Sequence, residues 1–178
     1  MFCTKCGGQI PDGQSFCPNC GAQNGGSGIQ PDMPMAWYKF LIYFALFAGA
    51  VINAISGIMY LTGSIYESTA GVPASLVYVF YGSLKIVDVI YGIAAIGLAV
   101  IAVLTRMKLA AYSADGPKLV LALYALGVIV SVVYALLVSM ITKQNGFTGS
   151  VLISIVVSVI MIFANKAYFD KRAHLFVN

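Results

Sequence analysis

Four cysteines carry the clearest chemistry in this chain. They form two pairs, Cys3-Thr4-Lys5-Cys6 and Cys17-Pro18-Asn19-Cys20, each followed by a glycine, Gly7 and Gly21. Two intervening residues let both sulfurs of a pair approach one ion at about 2.3 Å, and two such pairs supply a tetrahedron of thiolates. A glycine after each pair can take the positive φ that a tight turn around a metal favours. The spacing predicts a metal site built from Cys3, Cys6, Cys17 and Cys20, with Zn2+ the preferred ion. Rubredoxin-type iron uses the same two knuckles, so spacing alone leaves iron open. Four thiolates close the coordination sphere, which makes the expected role structural and not catalytic.

The cysteines sit in a polar stretch, residues 1–22, whose only sizeable apolar residues are Phe2, Ile10 and Phe16. Residues 9–16 can form a short hairpin turned at Pro11-Asp12-Gly13. So small a core cannot fold by itself, so metal binding must supply the folding free energy. These paired Cys-Gly knuckles resemble the short zinc-ribbon domains at the N-termini of many bacterial membrane proteins. The resemblance covers about residues 1–22. It implies an architecture and attaches no activity.

Residues 23–35 are rich in Gly, Ser and Pro and show no hydrophobic period, which predicts a flexible linker. Beyond them the composition changes. The whole chain of 178 residues is 60% hydrophobic and only 9% charged, against about 25% charged in soluble domains. Too few charges remain to build a water-facing surface, so lipid must solvate most of residues 36–178. No charged residue lies between Lys39 and Glu67, Asp88 and Arg106, Lys118 and Lys143, or Lys143 and Lys166. About 20 apolar residues cross a bilayer as a helix, and a lone segment in lipid must satisfy its own backbone. Spans are predicted at about 37–62, 84–105, 118–142 and 149–168, the second with an apolar extension back to Leu76. Asp115-Gly116-Pro117 reads as the start of the third. The fold class is an all-α membrane protein: four transmembrane helices in a bundle, preceded by a small metal-nucleated ribbon.

Orientation follows from the basic residues. Lys39, Arg106, Lys108, Lys118, Lys166, Lys171 and Arg172 fall on one side of four spans, whereas loops 63–83 and 143–148 hold only Lys143. Both termini are expected in the cytosol, with the chain in the cytoplasmic membrane. Trp37, Tyr38, Tyr168 and Phe169 suit the inner interface, and Tyr60, Tyr66, Tyr78 and Tyr81 the outer one. A reducing compartment disfavours disulfides. The βαβ setting of a redox Cys-x-x-Cys pair is missing. Nothing before Cys3 has the apolar core of a signal peptide, so none is expected.

Small residues recur every four positions: Ala45, Gly49, Asn53 and Gly57 in span one, Gly127, Ser131, Ala135 and Ser139 in span three, Ser150, Ser154 and Ser158 in span four. Such ladders let helices approach closely, within one chain or between copies. Lys85 and Asp88, three apart, read as a self-paired ion pair near the outer end of span two. Joined by Asn53 and Tyr91, they could also line an outward pocket for a small polar ligand. The lone His174 reads as a surface residue, and the aromatic and basic tail suits an anionic leaflet. No nucleophile–base set, metalloprotease motif or phosphate loop is present.

These residues predict no enzyme. They predict a membrane scaffold or sensor whose cytosolic ribbon docks a protein partner or promotes self-association, in the lipid bilayer. The alternative is a small transporter or ligand-binding protein using Lys85, Asp88 and Asn53. Nucleic acid is disfavoured, because Lys5 and Asp12 cancel and a zinc ion on four thiolates carries a net negative charge.

Overall fold

The computed structural model describes residues 6–9, 17–21 and 35–176. The chain divides into two compact units, Met1–Trp37 and Tyr38–Asn178. In the first, Gln9 makes an isolated β-bridge. The rest of the predicted hairpin over 9–16 lies outside the described residues, as does the predicted linker over 23–35 except Met35.

The second unit is helical. Among the described residues, four helices are long and apolar enough to cross a membrane: α1 (Ala36–Thr62), α4 (Leu84–Ala110), α5 (Gly116–Thr142) and α6 (Gly149–Asp170). Each lies within a few residues of its predicted span except at the end of α4. That helix runs on to Ala110, placing Arg106 and Lys108 in its last turns, where cations complement the helix dipole. At the start of α5, Asp115 stands at the N-cap and Pro117 in the first turn, as the sequence predicts. Its carboxylate makes no cap and instead meets Lys118 Nζ at 3.5 Å.

The loop expected over 63–83 holds two short helices, α2 (Ser64–Ala70) and α3 (Ala74–Phe80). The apolar stretch from Leu76 is thus no extension of α4. Tyr81 leaves helical geometry at φ −128° and ψ 67° and separates them. Gly63 and Gly71, at φ 79° and 65°, make the left-handed turns on either side of α2.

The long helices pack in sequence, α1 on α4, α4 on α5 and α5 on α6. The α1/α4 seam closes at a pair of glycines. A Cβ on Gly57 would stand 2.8 Å from the Gly92 carbonyl oxygen, and one on Gly92 would stand 2.9 Å from that of Gly57. Only two bare backbones permit that approach. The sequence ladder contained Gly57 but not its partner.

Within α1, Leu41–Ala45 forms a π turn. The Leu46 N–H bonds to the Leu41 carbonyl, so Ile42 loses its usual donor four residues on. Its carbonyl accepts instead from Arg106 Nε at 3.0 Å. At the same end Tyr38 donates to the Leu109 carbonyl at 2.7 Å. The α4 terminus there is a Schellman closure, with Tyr112 left-handed at φ 52° and Ser113 N–H on the Lys108 carbonyl at 3.0 Å. A tyrosine can hold this conformation because its ring is fixed, stacked on Tyr38 at 5.3 Å and against Phe176 at 5.7 Å. Phe176 also meets Phe169. Arg172 lies over the Tyr168 ring at 3.9 Å. The residues after α6 therefore fold into the base of the bundle, with Tyr38, Phe169 and Phe176 buried; for Tyr38 and Phe169 this corrects their expected place at the lipid interface.

Candidate functional site

Two sites have a geometry that can be stated, one in each unit. In the first, the sulfurs of Cys6, Cys17 and Cys20 all lie within 4.8 Å of one another. Cys17 is buried, whereas Cys6 and Cys20 are exposed. The Cys6 and Cys17 sulfurs are 3.7 Å apart. Thiolates about 2.3 Å from a tetrahedral ion are separated by about 3.8 Å, so this spacing fits the edge of a metal–thiolate tetrahedron.

The backbone around the sulfurs answers the sequence reading. Gly7 and Gly21 have φ of 70° and 64°, and the Gly21 N–H closes its turn on the Cys17 carbonyl at 2.9 Å. Gly8 brings the two knuckles together, since a Cβ there would come within 3.4 Å of both Asn19 and the Cys6 sulfur. The fourth predicted ligand, Cys3, lies outside the described residues.

Residues 2–24 match the family model of the zinc-ribbon domain. No curated protein and no solved structure matches the chain. The three described sulfurs fit a metal site, and zinc is the ion typical of that domain family.

The second site lies among the helices. Asp88, fully buried in α4, accepts three tyrosine hydroxyls. Tyr66 of α2 and Tyr78 of α3 donate to Oδ2 at 2.6 and 3.0 Å, and Tyr134 of α5 donates to Oδ1 at 2.8 Å. Tyr60 and Tyr91 complete the cluster, each ring meeting Tyr134, with centroids 5.3 and 4.3 Å away. Burial first, then the neighbouring carboxylate, pushes the Tyr78 hydroxyl up to about 12. Burial and the bond to Asp88 hold Tyr66 well above the usual tyrosine range.

The predicted quartet of Lys85, Asp88, Asn53 and Tyr91 does not meet as one pocket. Lys85 is exposed and makes no ion pair with Asp88, whose described partners are all tyrosines. The expected i, i+3 pair is therefore corrected: burial takes Asp88 to hydroxyl donors while the lysine stays at the surface. Asn53 turns inward along its own helix, donating to the Gly49 carbonyl at 2.8 Å. It lines a separate cavity of about 280 Å³ with Ser56, Tyr91, Ser131, Ser154 and Ser158.

The tyrosine cluster escaped sequence reasoning because tyrosines near span ends suit an interface equally well. Their clustering ahead of and behind a lone intramembrane aspartate was the available signal. The small-residue ladders also divide. Gly57 serves the α1/α4 crossing. Ala135 is fully buried, and Ser139 takes the Gly146 N–H at 2.8 Å. Gly49, Gly127, Ser131, Ser154 and Ser158 face the cavity instead.

Proposed function

We infer that this multi-pass membrane protein uses its ribbon as a docking module for a protein partner, and that it is not an enzyme. The observation that carries the reading is the thiolate cluster. Three described sulfurs at metal-binding separation, with Cys3 as fourth ligand, would leave no open coordination position for substrate. Zinc bound there supplies folding free energy and no reacting group. What the ribbon then offers is its surface, on which Gly7, Pro18, Asn19 and Gly21 are exposed. A ribbon that forms its own compact unit suits recruitment to the membrane. The basic-residue asymmetry supports a cytosolic side for that surface and both termini, at the cytoplasmic membrane.

The reading is tested by crosslinking in native membranes, comparing the full chain with Cys17→Ser. Partners that disappear in the variant, while the bundle stays inserted at normal abundance, support it. An identical set of crosslinked proteins would overturn it. A protease reaching the ribbon from outside intact cells would overturn the sidedness.

A further inference from the structure

The cavity among the four spans is lined in part by polar groups for which the described residues supply no hydrogen-bond partner. Several hydroxyls elsewhere in the helices bond backward to their own backbone: Ser139 to the Ala135 carbonyl at 2.7 Å, Thr142 to that of Val138 at 2.8 Å, and Thr62 to that of Ile58 at 2.9 Å, although the buried Thr105 Oγ1 makes no hydrogen bond. Such back-bonding is the usual way to satisfy a hydroxyl inside a membrane helix. In the cavity the pattern stops. Ser56, Ser131, Ser154, Ser158, Tyr91 and Tyr124 all line it, and among the described residues none of their hydroxyls has a hydrogen-bond partner. The Asn53 side-chain oxygen likewise accepts nothing, its amide nitrogen being committed to Gly49.

Depth adds to the cost of those groups. Asn53 is nine residues from the end of α1 and Ser131 eleven from the end of α5, so each lies about 14–17 Å along its helix from that end. Both are in the central part of the hydrocarbon layer, where unsatisfied polar groups are costly. The lining draws on all four spans, and α1 and α6 flank it without a packed seam of comparable extent among the described residues. Gly49 and Gly127 widen it, since a Cβ at either would meet nothing within 4 Å.

We propose that this cavity binds a small neutral polyol. No Asp, Glu, Lys, Arg or His lines it, so a charged solute would enter uncompensated. An apolar occupant would leave the hydroxyls unbonded. Each serine and tyrosine hydroxyl both donates and accepts, which matches the two-way bonding of a solute rich in hydroxyls. Leu46, Leu98 and Val130 in the same lining supply apolar surface for its carbon backbone. A volume of about 280 Å³ falls just under the range of about 300–1,000 Å³ usual for sites of drug-sized ligands, so it admits a solute smaller than a drug. The proposal is independent of the ribbon's role.

The test is saturation-transfer NMR on the full chain in lipid nanodiscs, with glycerol as probe and glycerol 3-phosphate as the charged comparison. A protein-dependent glycerol signal is expected, with none for the phosphate ester. Gly127→Leu, which fills the open space, should abolish it. Asn53→Ala and Ser131→Ala, which remove polar groups without filling the cavity, should weaken it and remain informative should Gly127→Leu fail to fold. A glycerol signal no stronger than that of empty nanodiscs, the result for a cavity that takes water alone, would overturn the proposal. So would an equal signal from the phosphate ester, or one unchanged in folded variants.

Discussion

Tyr134 donates to Asp88 Oδ1 at 2.8 Å across the α4/α5 seam, beside its ring contact with Tyr91 of α4. With Tyr66 and Tyr78 on the second oxygen, one carboxylate ties α2, α3 and α5 to α4. Interhelical hydrogen bonds in membranes contribute about 0.6 kcal/mol each on average and up to about 1.7. Asp88→Ala removes three acceptor contacts and is expected to lower stability by about 2–5 kcal/mol. Asp88→Asn keeps a carbonyl for Tyr66 and Tyr78 and should lose about 1 kcal/mol. Thermal unfolding in detergent, followed by circular dichroism, ranks the two. Equal losses would show that the carboxylate is not the hub.

Alkaline pH should loosen the same end. Tyr78 is raised to about 12 from an ordinary 10.0 by burial and the nearby carboxylate, and Tyr66 is raised in the same direction. A tyrosine whose pKa is raised by folding contributes stability that is intact at pH values under its unfolded pKa and lost as pH climbs through its folded one. Stability should therefore hold up to about pH 10 and fall between about 10 and 12. Tyrosinate absorbance against pH, alongside unfolding, checks this. In Asp88→Asn part of the tyrosine titration should move to lower pH.

The glycine crossing gives a paired prediction. Gly57→Ala places a methyl 2.8 Å from a backbone oxygen and 2.6 Å from Ile96, so the helices must separate, at about 1–3 kcal/mol. Gly49→Ala meets nothing and should be neutral, or stabilising by up to about 1 kcal/mol through helix propensity. Unfolding midpoints of the two variants decide it. A comparable loss from both would remove the case for a specific seam.

Metal removal should act on one unit. Chelation, or Cys17→Ser, is expected to unfold the ribbon and leave the helical signal intact, because the long helices belong to a compact unit with its own internal packing. Elemental analysis should give one zinc per folded chain and none in the variant. Cobalt substitution should give the absorption of a tetrahedral thiolate site.

Much of this was legible in the residues. Charge-free runs locate the spans because lipid forbids charge along a whole helix face, and the knuckle glycines announce their own φ. The Asp88 cluster was not legible, since its donors come from three other helices and composition does not encode that meeting. Lys85, three residues away, offered a simpler partner that the fold does not use. The π turn and the Gly92 contact were hidden for a related reason: each depends on where a neighbouring helix crosses, which no local pattern in α1 specifies.

That π turn splits α1 into two stretches with independent phase. An α-helix advances about 100° per residue, and the wider turn at Leu41–Ala45 resets the count. Tyr38 can thus face Leu109 while Gly57 faces Gly92, although no single stripe need connect them. Deleting one residue inside the turn should rotate the first stretch against the second and force a choice between base and crossing. Arg106 is what keeps both available, for its guanidinium occupies the carbonyl that the reset leaves over.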